Sequence, residues 1–147
     1  EPHAELGPGV GMMFALFIFR IQLESVIGRR SFVLLFILSG IIGNFGYMLT
    51  AASLDVPGLG ASGAVFGIVG ALAALRPLAM VYIGYAPMPM IIAAFLWGIS
   101  EFLGLFVPSN IARGAHLGGL FLGIAYGIFV RIKTRRENHP VSLRDFQ

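Results

Sequence analysis

Residues 60–75 read Gly60-Ala61-Ser62-Gly63-Ala64-Val65-Phe66-Gly67-Ile68-Val69-Gly70-Ala71-Leu72-Ala73-Ala74-Leu75 and run up against Arg76-Pro77. The stretch carries no charge, one hydroxyl near its start, and glycines at 60, 63, 67 and 70. A segment this apolar on every side belongs inside protein or lipid, not on the surface of a soluble domain. A second segment of the same kind opens with Ala115-His116-Leu117-Gly118-Gly119. Ser62 and His116 thus place a candidate nucleophile and a candidate base at the openings of two apolar helices. Polar groups in hydrocarbon are costly and usually persist for function.

The composition points to the same environment. Of 147 residues, 57% are hydrophobic and 12% charged, against about 25% charged in an ordinary soluble domain. The 20 glycines, spread through apolar segments, suit helices packed closely in lipid. With no cysteine, thiol catalysis, disulfides and cysteine-based metal sites are excluded. Three scattered histidines make no ligand cluster, so neither a metal nor another cofactor is expected. The formal charge of +3 is not a sign of nucleic-acid binding, because the basic residues gather at helix ends and not on one polar face.

Five apolar stretches are expected to be helical: 10–27, 31–52, 60–75, 90–107 and 115–130. Between the third and fourth lies a hydrophobic but broken segment with Gly84, Pro87 and Pro89. A bilayer core takes about 20 helical residues, so the third and fifth stretches are slightly short. Short helices can begin below the surface where protein surrounds their ends. The reading is an all-α membrane protein, a polytopic helical bundle with about five transmembrane helices. One domain covers residues 1–131, and a short polar cytoplasmic tail covers 132–147.

Basic residues set the orientation. If the first helix enters from outside, Arg29, Arg30, Arg76, Arg131, Lys133, Arg135, Arg136 and Arg144 all face the cytoplasm. Arg113 falls on the outer side, and Arg20 lies within the first helix, four residues from Glu24, with which it can pair. The C-terminus is then cytoplasmic. An odd helix count with an outside start suggests an upstream helix that is missing from this chain or was never there. The same count tests the two polar residues: Ser62 lies fourteen residues before Arg76, and His116 fifteen before Arg131. At about 1.5 Å per residue, both stand roughly 21–23 Å above the cytoplasmic boundary, on helices running in the same direction.

Small residues would let those helices meet. Gly63 and Gly67 make one smooth stripe, and Gly119 and Gly123 make another; such faces allow close backbone approach. Phe66, one turn after Ser62, could pack on the imidazole or be an ordinary lipid-facing or core aromatic. Taken singly, Ser62 reads as readily as a helix cap, and His116 as a hydrogen bond between helices. Glu101 reads as a proton-relay group or as a residue facing a wet cavity, and Trp97 as a packing residue. His139 reads as solvated in the tail. The Gly-x-Ser-x-Gly elbow of soluble hydrolases fits poorly, since Ala64 replaces its last glycine.

Gly60-Ala61-Ser62-Gly63-Ala64-Val65-Phe66-Gly67, paired with Ala115-His116-Leu117-Gly118-Gly119 and Gly123, resembles the rhomboid intramembrane serine proteases. Leu23-Glu24 with Gly28-Arg29-Arg30, Leu38-Ser39-Gly40 with Gly43-Asn44, and Pro87-Met88-Pro89 add to the likeness, which extends from about His3 to Arg131. The resemblance implies a Ser–His dyad without a third acidic member. Ser62 would be the nucleophile and His116 the general base. Backbone N–H groups around Gly60, Ala61, Ser62 and Gly63 would hold the oxyanion. Rhomboids carry a six-helix core, of which this chain resembles helices two to six.

One departure bears on activity. Rhomboids usually carry His-x-x-x-Asn on the helix that ends near Glu24, as part of the oxyanion hole. Here the ungapped positions hold Pro8 and Met12, neither of which can donate a side-chain hydrogen bond. His3 matches a more peripheral family histidine and is no substitute. Losing one oxyanion donor commonly lowers turnover about 100- to 1,000-fold. The favoured expectation is an intramembrane endopeptidase acting on membrane proteins whose transmembrane helices unwind easily. The alternative is a proteolytically weak or inactive relative that binds transmembrane helices. The fourth helix, flanked by Pro89 and Pro108, reads as an element able to tilt as a lateral gate. A bacterial or archaeal cell membrane is the simplest location, and an organelle membrane the other.

Overall fold

Between Ile27 and Arg29 a single residue carries the chain from one helix into the next. Gly28 takes φ +84°, a left-handed setting that glycine adopts without a Cβ penalty. It joins α1 (Leu6–Ile27) to α2 (Arg29–Thr50). Arg20 then stands over the Phe32 ring at 5.9 Å and pairs with Glu24 at 3.0 Å, as expected from their spacing. The remaining elements are α3 (Ala61–Leu75), β1 (Met80–Ile83), β2 (Ala86–Pro89), α4 (Met90–Gly104) and α5 (Arg113–Asn138). The computed structural model describes residues 6–51, 61–83, 86–107 and 111–138, with side chains from residue 16 onward and residue 83 by its backbone alone.

All five expected helices are present, with three boundaries displaced by three residues or more. α1 begins at Leu6, ahead of the expected start at residue 10, and takes Pro8 into its first turn. Proline is tolerated there because its missing N–H would have had no helical partner. α4 stops at Gly104, three residues before the expected end. α5 continues to Asn138, through residues expected to belong to a polar tail. Arg, Lys and Glu are good helix formers, and Arg135 and Arg136 in the last turn complement the negative end of the helix dipole.

The helical fold carries one short β element in addition. The broken segment is an antiparallel hairpin, in which Met80 faces Pro89 and Ile83 faces Ala86. Val81, Tyr82 and Ile83 are β-formers. Met90 N–H donates to the Ala79 carbonyl at 2.8 Å, which fixes the hydrogen-bonded parity of the ladder. Pro87 and Pro89 therefore occupy positions whose N–H would point away from the partner strand. Met90 and Ile91 N–H, two orphan donors of α4, are satisfied by the Ala79 and Pro77 carbonyls.

Large side chains fill one end of the bundle: Phe19, Leu23, Phe32, Leu35, Ile68, Leu72 and Met90 are buried together. At the other end α2, α3 and α5 touch through glycine. A Cβ on Gly63 would lie 2.9 Å from the Ala115 carbonyl and 3.4 Å from Gly43 Cα. A Cβ on Gly119 would strike the Gly63 carbonyl, and one on Gly123 the Gly67 carbonyl. The order of these partners makes α3 and α5 parallel. α2 runs antiparallel to both, since Gly43 meets Gly63 and Ser39 meets Gly67.

The exterior is apolar. Leu34, Leu49, Phe95, Phe121 and Phe129 are each more than 60% exposed, an arrangement that water disfavours and lipid tolerates. Among the described residues, α2 and α5 are long and apolar enough to cross a membrane, while α3 and α4 are shorter apolar helices.

Candidate active site

Ser62 is the second residue of α3 and half-buried, beside exposed Ala61 and buried Gly63 and Ala64. Its position in the first turn matters because the first four N–H groups of a helix lack intrahelical partners. The N–H groups of Ala61, Ser62 and Gly63 are thus oriented outward along the helix axis, a donor set able to hold a negative oxygen. Gly60 lies outside the described residues, as do His3 and His139. Pro8 and Met12 sit within α1, their side chains outside the described set.

His116 stands in the first turn of α5, at the level of Ser62. That level follows from the seam: Gly63, next to Ser62, packs on Ala115 and Gly119, which bracket His116 in sequence. Phe66, one turn along from Ser62, stacks on the imidazole with ring centroids 4.4 Å apart and planes 8° from parallel. Phe66 therefore packs both on the imidazole and against the hydrophobic core. Among the described residues the Ser62 hydroxyl forms no hydrogen bond, and the structure does not join it to His116. Gly63, Gly67, Gly119 and Gly123 all lie in the seam.

Two charged side chains complete the setting. Glu101 Oε2 lies 3.1 Å from His116 Nδ1 and 3.5 Å from an Arg113 guanidinium nitrogen. The oxygen stands off the direction of a ring N–H, so Nδ1 is a buried nitrogen without an aligned hydrogen bond. Arg113 Nε is likewise buried and unbonded. All three side chains are largely buried, between 12% and 20% exposed. The sequence offered Glu101 as a relay group or a cavity-facing residue, and Arg113 only as an outer-side charge. Spacing held the missing signal: Arg113 and His116 are three apart on one helix and share a face.

A groove of about 670 Å³ starts beside this cluster at Phe102 and Leu117. It descends between α3, α4 and α5 to Arg131 and Arg135. Its walls are almost wholly apolar. Arg131 also donates to the Ala74 carbonyl at 3.0 Å, satisfying one of the free carbonyls at the end of α3.

The sequence profile of the Rhomboid domain matches residues 3–133. The chain belongs to the rhomboid family. It is 37% identical over 123 residues to a Bacillus subtilis protein named "Putative rhomboid protease YdcA", a match covering 83% of this chain and 60% of that one. It is 30% identical over 134 residues to "Rhomboid protein 1, mitochondrial" of Saccharomyces cerevisiae, covering 85% of this chain and 38% of the yeast protein. The rhomboid chain described here therefore spans less than two thirds of the length of either relative. No solved structure matches it. Rhomboids are membrane proteins and include intramembrane serine proteases, which accords with the apolar exterior of this bundle.

Proposed function

We propose that this rhomboid is a multi-pass intramembrane serine endopeptidase in which Ser62 is the nucleophile and His116 its general base. The observation that supports it best is the parallel seam of α3 and α5. It sets both residues on one level and stacks Phe66 on the imidazole. In this reading His116 takes the hydroxyl proton as Ser62 attacks the scissile carbonyl, then returns it to the leaving amine. The N–H groups opening α3 hold the oxyanion, and water from the outer face releases the acyl group.

Substrates are membrane proteins whose transmembrane helices carry Gly, Pro or small polar residues near their outer end, because a helical peptide bond must unwind before it can be attacked. Access by movement of α4 accords with its packing. It touches α3, α5 and the hairpin but, among the described residues, not α1. The C-terminus faces the cytoplasm, and a prokaryotic cell membrane is the simplest location.

Pro8 and Met12 favour a second reading, a rhomboid without proteolytic activity that binds transmembrane helices. They remove the two side-chain donors expected near the oxyanion. Labelling purified, folded protein with a fluorophosphonate separates the two. The protease labels, and Ser62→Ala abolishes the label; unlabelled wild-type protein overturns the protease and leaves the binder.

A further inference from the structure

We infer that Glu101 is the positioning carboxylate of His116, making a third acidic member where the family resemblance implies only a dyad. The inference rests on the protease reading for its purpose, and on geometry for its substance. His116 Nδ1 is buried and has no aligned partner, a condition that folded proteins rarely leave unresolved. Glu101 Oε2 lies 3.1 Å from that nitrogen. A small rotation of the carboxylate or the ring converts that approach into an Nδ1–H donation.

Three features fit this role better than incidental proximity. The carboxylate is only 15% exposed, and a carboxylate so buried needs a counter-charge. Arg113 supplies one, through a guanidinium nitrogen 3.5 Å from the same oxygen that faces the imidazole. Arg113 in turn lies within contact of Gly104, where a Cβ would strike the guanidinium. One turn of α4 thereby provides both the carboxylate and the space for its partner. Lastly, the Phe66 ring covers one face of His116, so stacking sets the plane of the ring while Glu101 sets its tautomer.

The consequence is chemical. With the proton held on Nδ1, Nε2 is the unprotonated nitrogen and is the one available to take the Ser62 proton. When that proton arrives, the imidazolium lies beside a carboxylate already in place. Glu101 touches no substrate atom and acts through His116 alone.

The test is the tautomer of His116, read from imidazole ¹⁵N shifts of histidine-labelled protein in bilayers and assigned by loss of the signal in His116→Gln. Wild-type protein is expected to show Nδ1–H. Glu101→Ala is expected to move His116 toward the Nε2–H form that free imidazole side chains favour, and Glu101→Leu, which keeps bulk but has no acceptor, serves where the alanine variant fails to fold. An Nε2–H tautomer in the wild type, or an unchanged Nδ1–H tautomer in a folded Glu101 variant, overturns the inference. Fluorophosphonate labelling of Ser62 in Glu101→Ala should slow by about a hundredfold, the lower end of what a positioned base contributes. Should wild-type protein show the Nδ1–H form that Glu101→Ala loses, yet take no label, the protease reading fails while the contact stands.

Discussion

At the scale of single residues, the site combines a ring contact with a charged cluster, and the two differ in how far sequence could reach them. Phe66 follows Ser62 by one helical turn, so its place beside any partner of Ser62 was readable from spacing alone. Replacing it by leucine keeps apolar bulk and removes the stacked ring at 4.4 Å. The loss should be about 1 kcal/mol of imidazole placement, or roughly fivefold in the rate of Ser62 labelling, with little change in thermal unfolding. Glu101 was legible only as an acidic residue in an apolar helix. Its meeting with His116 depends on how α4 leans against α5, and a tertiary angle of that kind leaves no trace in periodicity. Ser39 is similar: it is wholly buried with an unbonded hydroxyl, filling the notch that Gly67 leaves open.

At the scale of elements, the α3–α5 seam was the most legible part of the molecule, because its glycines recur at helical spacing and the basic residues fix both helix ends. The glycines differ sharply in what they allow. Gly119→Ala drives a methyl group into the Gly63 carbonyl, where neither side can rotate away. It should lower stability by about 3 kcal/mol, at the upper end of overpacking effects, and separate Ser62 from His116. Gly28→Ala meets no atom within 4 Å and suffers only the strain of its φ +84°, ψ 164° backbone, about 2 kcal/mol. Thermal unfolding in detergent of both variants checks the contrast; equal losses would mean that the seam is looser than it looks. The hairpin escaped sequence reading because Pro87 and Pro89 look like breaks until the ladder parity shows that their positions require no donor. The extension of α5 escaped because a run of basic residues was read as a boundary, although those side chains favour helix.

At the scale of the whole molecule, glycine lines the contacts of α2, α3 and α5, large side chains fill the other end of the bundle, and further leucines and phenylalanines face outward. In the proposed orientation, which follows from the placement of arginines, the ends at Arg76 and Arg131 lie on the cytoplasmic side. The absence of cysteine makes the orientation directly measurable. In intact cells, Ser53→Cys should react with a membrane-impermeant maleimide and Arg136→Cys should not; reaction of both from one side would overturn the topology. α5 links the two sides without interruption. From His116 to Asn138 it is a single helix, about 33 Å long at the usual rise per residue. In the proposed topology the imidazole is thus mounted on a shaft whose far end is a basic handle in another compartment. A torque applied there would be felt at the catalytic level with no intervening joint to absorb it.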